Sequence, residues 1–134
     1  MTITRLHHAQ ITVPPEGEAV ARWFYCAPLG LSESARPTAL DGRGGFWPRL
    51  GDQQLHIGVE HGIARDATKA HLAYAVDDLA VWRERLAAAW TVALASVPLP
   101  GYDRFECREP FGNRLEFSQP LAVADPNTDV QIRD

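Results

Sequence analysis

Two residue types that bind metals, His and Glu, recur at matching places in this chain. His8 opens one stretch of alternating apolar and polar residues, and His71 opens another 63 positions later. Leu55-His56 and Leu115-Glu116 each follow a turn containing Gly51 or Gly112 and are 60 positions apart. Two imidazoles and a carboxylate on one side of a sheet offer neutral nitrogen and hard oxygen donors. Such a set suits Fe(II), Mn, Ni, Co or Zn and leaves positions open for water or substrate. The alternative is that each histidine is a solvated or hydrogen-bonded strand residue. Equivalent placement in a repeat favours ligation. His7 falls on the apolar side of the alternation and His61 in a linker, so both are read as structural or surface residues.

The elements that must position these groups follow from periodicity. Ala9, Ile11 and Val13 alternate with His8, Gln10 and Thr12, the pattern of a half-buried strand over Ile3–Val13. Pro14-Pro15 ends it, and Pro15 can open a helix. Val20, Trp23, Phe24 and Ala27 form that helix's apolar stripe, and Pro28 stops it. Strands are expected over 29–35, 45–50 and 53–60, with Gly51-Asp52 as a tight turn. After an aperiodic linker, 61–68, the order repeats. A strand spans 70–77, and Asp77 or Asp78 caps a helix whose stripe is Leu79, Trp82, Leu86 and Ala89. Strands over 91–97, 102–108 and 113–118 complete it, with Pro110-Phe111-Gly112-Asn113 as a turn. The expected fold is therefore α+β: two tandem βαβββ modules forming one curved, cup-like mixed sheet, with helices on the convex face. Module one covers 4–60 and module two 69–119, within a single domain over 1–119. Residues 120–134 form a polar tail.

On the polar faces stand His8, Gln10 and Thr12; Gln54, His56 and Glu60; His71 beside two alanines; and Arg114, Glu116 and Ser118. Buried polar groups without partners cost about 1–3 kcal/mol, so an ordinary core would not use them. A ligand cavity would. Trp47, Arg49, Arg104 and Arg108 take the same faces and are candidate substrate-binding residues, the arginines favouring an anionic or oxygen-rich small molecule. Glu106 is a candidate general base. Its competing reading is an ion pair to Arg104 or Arg108.

Several stretches resemble the vicinal oxygen chelate superfamily: Leu6–Val13, Phe24–Leu31, Ala70–Val76 and Pro110–Phe117. That group includes glyoxalase I, extradiol dioxygenases, fosfomycin-resistance metalloenzymes and bleomycin-resistance proteins. The resemblance runs from residue 4 to about 119. It implies paired βαβββ modules around one divalent metal, with His8, His71 and Glu116 as ligands. His56 stands where glyoxalase I has a fourth, carboxylate ligand. The tail of the dioxygenase signature is present as Glu109-Pro110-x-Gly112-x-x-x-Glu116, but Glu106 occupies the place of its Tyr and no His follows His71. Lyase, isomerase or addition chemistry is therefore expected over oxygen insertion, with the metal as Lewis acid. The alternative is a drug-binding protein of the bleomycin-resistance type. The family also implies a homodimer.

The chain has 134 residues and a formal net charge of −4, with Lys69 its single lysine. General nucleic-acid binding is thereby disfavoured. The N-terminus lacks an apolar signal region and no long apolar run is present, so a cytoplasmic location away from membranes is expected. Cys26 and Cys107 read as free thiols. The exit of the second helix, Ala89-Trp90-Thr91, lacks the customary Gly, and sequence offers no account of Trp90 there.

Overall fold

A computed structural model describes residues 1–122. The tail expected over 120–134 thus lies outside the described residues from position 123 onward. The chain divides into two compact units. One contains residues 1–67 together with 110–113, and the other contains 68–109 and, among the described residues, 114–122.

The first unit carries β1 (His8–Val13), α1 (Glu18–Cys26), β2 (Ser32–Ser34), β3 (Trp47–Leu50) and β4 (Gln53–Val59). Its four-stranded mixed sheet has the order β1-β4-β3-β2, with β1 and β4 parallel and the remaining pairs antiparallel. The second unit repeats the order with β5 (His71–Ala75), α2 (Leu79–Ala88), β6 (Leu94–Ala95), β7 (Tyr102–Arg108) and β8 (Arg114–Pro120). Its sheet runs β5-β8-β7-β6, again with a parallel first pair. The tandem βαβββ arrangement of an α+β fold is therefore present.

Each unit buries an apolar set drawn from its sheet and its helix. Val13, Leu55 and Ile57 are buried with Phe24 and Tyr25 in the first unit. Tyr74, Phe105, Leu115 and Phe117 are buried with Leu79 and Leu86 in the second. Phe117 is the hub there, stacked near Tyr74, Trp82 and Phe105 at 5.7, 5.3 and 5.3 Å.

The helices show where periodicity suffices. Asp78 caps α2, its Oδ1 accepting from the Ala80 and Val81 amides at 3.1 and 3.2 Å. The expected stripe of α2 holds at Leu79 and Leu86, and Trp82 is half-buried. In α1 the expected rotation is wrong. Ala21, Phe24 and Tyr25 are buried, whereas Val20 and Trp23 are exposed. Residues 19–27 are all apolar save Arg22, so several rotations look equivalent on hydropathy alone. The choice is made by tertiary packing. A single 3-10 turn, Pro15–Gly17, precedes α1, and Gly17 lies against the Phe111 ring so closely that any Cβ would overlap it.

The 61–68 linker is more ordered than its composition suggests. A 3-10 turn spans Arg65–Ala67. Arg65 is buried and donates from Nε to the Thr12 carbonyl at 2.6 Å and from Nη2 to the Glu60 carbonyl at 2.8 Å. Asn113 donates to the same Thr12 carbonyl at 2.9 Å. The edge strands are shorter than expected: 29–35 yields only Ser32–Ser34, and 91–97 only Leu94–Ala95.

Candidate functional site

The polar face of the first sheet holds a column of rings. His56 lies between the His8 and Trp47 rings, with centroids 4.2 and 3.9 Å away and planes inclined by 17° and 2°. Register explains the column. His8 pairs with Gln54 and Gln10 with His56, so the two histidines are diagonal neighbours on one face. His56 Nε2 lies 3.0 Å from Gln54 Oε1; as a carbonyl oxygen accepts, the imidazole donates and its Nδ1 keeps the lone pair. Burial lowers the His56 pKa below the ordinary value, and the positive charges of His8, His7 and Arg36 add to the effect. His7 is exposed, not turned to an apolar face, and its Nδ1 lies 3.0 Å from that of His8.

Beside the column is an open cavity of about 330 Å³, lined by Ser34, Trp47, Arg49, Asp52 and Gln54 among others. Trp47 and Arg49 thus take the face expected of them. Their neighbours Phe46 and Pro48 are buried on the other.

The polar face of the second sheet is a lattice of charge. Glu106 and Glu116 are directly opposite on β7 and β8. Arg104 is ion-paired with Glu116, and Arg114 with Glu106. Each carboxylate therefore meets the guanidinium diagonal to it. The diagonal guanidiniums offset the repulsion between the two carboxylates that stand face to face, a juxtaposition that otherwise destabilises a strand pair. Glu106 has the ion pair foreseen as its competing reading, but with Arg114 in place of Arg104 or Arg108. Arg104 is otherwise engaged, donating from Nε and Nη2 to the Val97 carbonyl at 2.9 and 2.6 Å. Arg108 Nη2 lies 3.4 Å from the Thr68 carbonyl. Of the four candidate substrate-binding residues, Arg49 and Trp47 line the cavity, while Arg104 is committed to its own unit.

His71 lies on this second polar face, two pairs along from Glu116: it pairs with Arg114, while Ala73 pairs with Glu116. Its Nδ1 donates to the Lys69 carbonyl at 2.8 Å, which fixes the tautomer and leaves the Nε2 lone pair free. Metal-binding histidines are commonly oriented by such a bond. Glu116 is buried, with Oε1 accepting from Arg104 and Oε2 left to accept or to ligate. His56 in the first sheet occupies the same register position as Glu116 in the second, each two residues beyond the partner of the opening histidine.

The donors are thus right in kind for a divalent cation: imidazoles with a defined free nitrogen and a carboxylate with one open oxygen. Among the described residues, no group of three His, Cys, Asp or Glu side chains is gathered at one point. The parallel His8 and His56 rings explain part of this. Parallel planes send their lone pairs side by side, not toward a common ion.

Sequence reasoning missed the stacking of Trp47 on His56 and the burial of Arg65. The first had a signal in Trp47 and His56 sharing a face. The second had none, because a lone Arg in an aperiodic stretch looks solvated.

Two four-stranded βαβββ sheets with histidine opening each parallel pair define a glyoxalase-type fold, and comparison with known proteins bears this out. Residues 5–117 match the model of the Glyoxalase/Bleomycin resistance protein/Dioxygenase superfamily, and the chain belongs to that family. A crystal structure of a putative glyoxalase family protein from Bacillus anthracis is 33% identical, with a TM-score of 0.82 over 90% of this chain and 98% of that one. Two more distant structures share the fold. The fosfomycin resistance protein FosX from Listeria monocytogenes is 13% identical with a TM-score of 0.73, over 90% of this chain and 94% of its own. TnmS3, an antibiotic binding protein from Streptomyces sp. CB03234, is 19% identical with a TM-score of 0.69, over 90% and 99%. No curated protein matches the sequence. No helix among the described residues is long and apolar enough to cross a membrane.

Proposed function

We propose that the protein is a divalent-metal-dependent enzyme acting on a small oxygen-rich molecule, by lyase, isomerase or addition chemistry. His8, His71 and Glu116 would hold the cation, and His56 would stand beside it, directly or through water. The observation that carries this reading is the state of His71. Its Nδ1 is committed to a backbone carbonyl and its Nε2 is free, on the same polar face as a buried carboxylate with one open oxygen. A bound divalent ion supplies Lewis-acid polarisation of substrate oxygens.

The chain's own residues supply the rest. Arg49 and Trp47 both line the cavity. Together they suit a ligand with an anionic group next to an apolar one. Glu106 is the proposed general base. Its carboxylate is ion-paired to Arg114, so proton abstraction requires it to exchange that partner for substrate. Such a base contributes about 10²–10⁴-fold.

Untagged purified protein should carry near-stoichiometric Fe, Mn, Ni, Co or Zn by elemental analysis. Apoprotein loaded with each metal would then be assayed against methylglyoxal–thiol adducts, epoxide antibiotics and catechols. Turnover with redox-inert Zn supports the proposal; oxygen uptake with Fe(II) and a catechol overturns the reaction class. The second reading, a non-catalytic antibiotic binder, is favoured by the open cavity beside the Trp47–His56 stack. Metal-free protein that binds an antibiotic at one site per chain without consuming it would establish that reading instead.

A further inference from the structure

Residues 90–101, Trp-Thr-Val-Ala-Leu-Ala-Ser-Val-Pro-Leu-Pro-Gly, contain no charged side chain. In the folded second unit this run is largely bare. Trp90 is 90% exposed, Val97 75%, Val92 71% and Leu94 50%, with Leu99 and Tyr102 also exposed. Isolated exposed apolar residues are ordinary, but a contiguous uncharged strip marks an interaction surface.

The backbone here is also an edge. β6 is the outer strand of its sheet, and Leu94 and Ala95 pair only with β7. Proteins usually guard such edges with charge, because unpaired amides and carbonyls template further strands. The equivalent edge of the first unit is guarded. β2 reads Ser-Glu-Ser, and Glu33 is ion-paired to Arg22 at 3.1 Å. β6 has no such guard.

Trp90 adds an independent observation. It follows α2 with a left-handed φ of 56°, the only non-glycine residue with positive φ among those described. Its amide donates to the Ala87 carbonyl at 3.0 Å, and the Thr91 amide to Leu86 at 2.8 Å, closing the helix in the manner that normally uses glycine. An L-residue pays steric strain there. The indole makes no ring contact or side-chain hydrogen bond among the described residues, so none of their side chains offsets that strain.

We infer that the Trp90–Tyr102 strip is the contact surface for a second copy of this chain, joined edge to edge about a two-fold axis through β6. Two facts select a second copy as the occupant. At their fractional exposures the six apolar residues present on the order of 700 Å², close to the ~800 Å² that each partner gives to a standard stable interface. A surface without charge also lets like meet like with no repulsion, as an isologous contact requires, although each chain is net negative. This goes beyond the homodimer implied by the family, which names no surface, and does not depend on the metal or the reaction.

Sedimentation velocity on the full chain across a wide concentration range tests it. The unaltered protein should dimerise. The double variant Leu94→Lys/Val97→Lys should raise the dimer Kd by about a hundredfold or more, with an unchanged far-UV circular dichroism spectrum. Trp90→Gly suits the left-handed backbone, so it should keep the fold while raising Kd by about tenfold or more; it decides the matter should the lysine variant misfold. A protein monomeric at every concentration overturns the inference, and so does a dimer that neither variant weakens.

Discussion

The two units share strand order, parallel first pair and register, yet their polar faces are built from different materials. In the first sheet the face is a stack of rings, His8 on His56 on Trp47, beside an open cavity. In the second it is a lattice of two glutamates and two arginines. Register makes His56 and Glu116 equivalent, so one backbone position is given to an imidazole in one copy and a carboxylate in the other. A strand pair specifies which residues face each other, and nothing about their chemistry. Under the proposed function the first face would receive a ligand's apolar and anionic parts, whereas the charge on the second is already balanced within its own sheet.

The comparison breaks most visibly at the metal. If the two faces contribute jointly, His71→Ala should weaken metal affinity by about a hundredfold, at the upper end of what disrupting a site's ligation and its support costs, measured by competition with a chelator. His56→Ala should cost less, about tenfold. Equal losses would make His56 a full ligand; no loss at His56 would make it a wall residue.

Core substitutions ask whether the units stand alone. Phe117→Ala removes the ring on which Tyr74, Trp82 and Phe105 pack, and should cost about 3–5 kcal/mol by denaturant unfolding. A single unfolding transition shared by both sheets would show that they fold cooperatively. Two transitions, with only one shifted, would show independent modules.

The charge lattice is next in size. Arg104→Met leaves the buried Glu116 carboxylate without its guanidinium and should destabilise by about 2 kcal/mol. Arg114→Met exposes Glu106, which is more accessible, to a smaller loss of about 1 kcal/mol. Reversal of that order would mean that Arg104 is held mainly by the Val97 carbonyl.

The ring column should respond to pH. His56 has a folded pKa below its unfolded value, so the unfolded chain binds the proton more readily. Its contribution to stability is then fully present above the unfolded value of about 6.5 and is lost as pH falls through the folded one. Unfolding of the parent and of His56→Gln should diverge only below about pH 6.5, with the variant the less pH-sensitive. The smallest effect belongs to the helix exit of the second unit, where Trp90→Gly should stabilise the monomer by about 0.5–1 kcal/mol in thermal melts at low protein concentration.

Much of the architecture was legible before any coordinates. The alternation at 8–13 and 71–75, the turns at Gly51 and Gly112, and the cap at Asp78 are local effects, decided by neighbours within a few residues. The repeat itself was visible as spacing, and with it the candidates His8, His56, His71 and Glu116. The rotation of α1 was not, because one arginine in nine residues leaves the helix without a polar face to orient it. Nor were the partners of Glu106 and Glu116. Alternation puts Arg104, Arg108 and Arg114 on one face with both, and only the register of β7 on β8 chooses among them.

By itself, then, the sequence determined the element order, the polarity of each strand face and the family, since these depend on residue types at short spacing. Tertiary structure alone decided that His56 is enclosed by His8 and Trp47, that Arg65 and Asn113 share the Thr12 carbonyl, and that Trp90 is bent into a left-handed turn and left bare. Each of those depends on groups brought together from up to a hundred residues apart, or on a backbone closing a helix against its own preference. Local sequence carries no record of either.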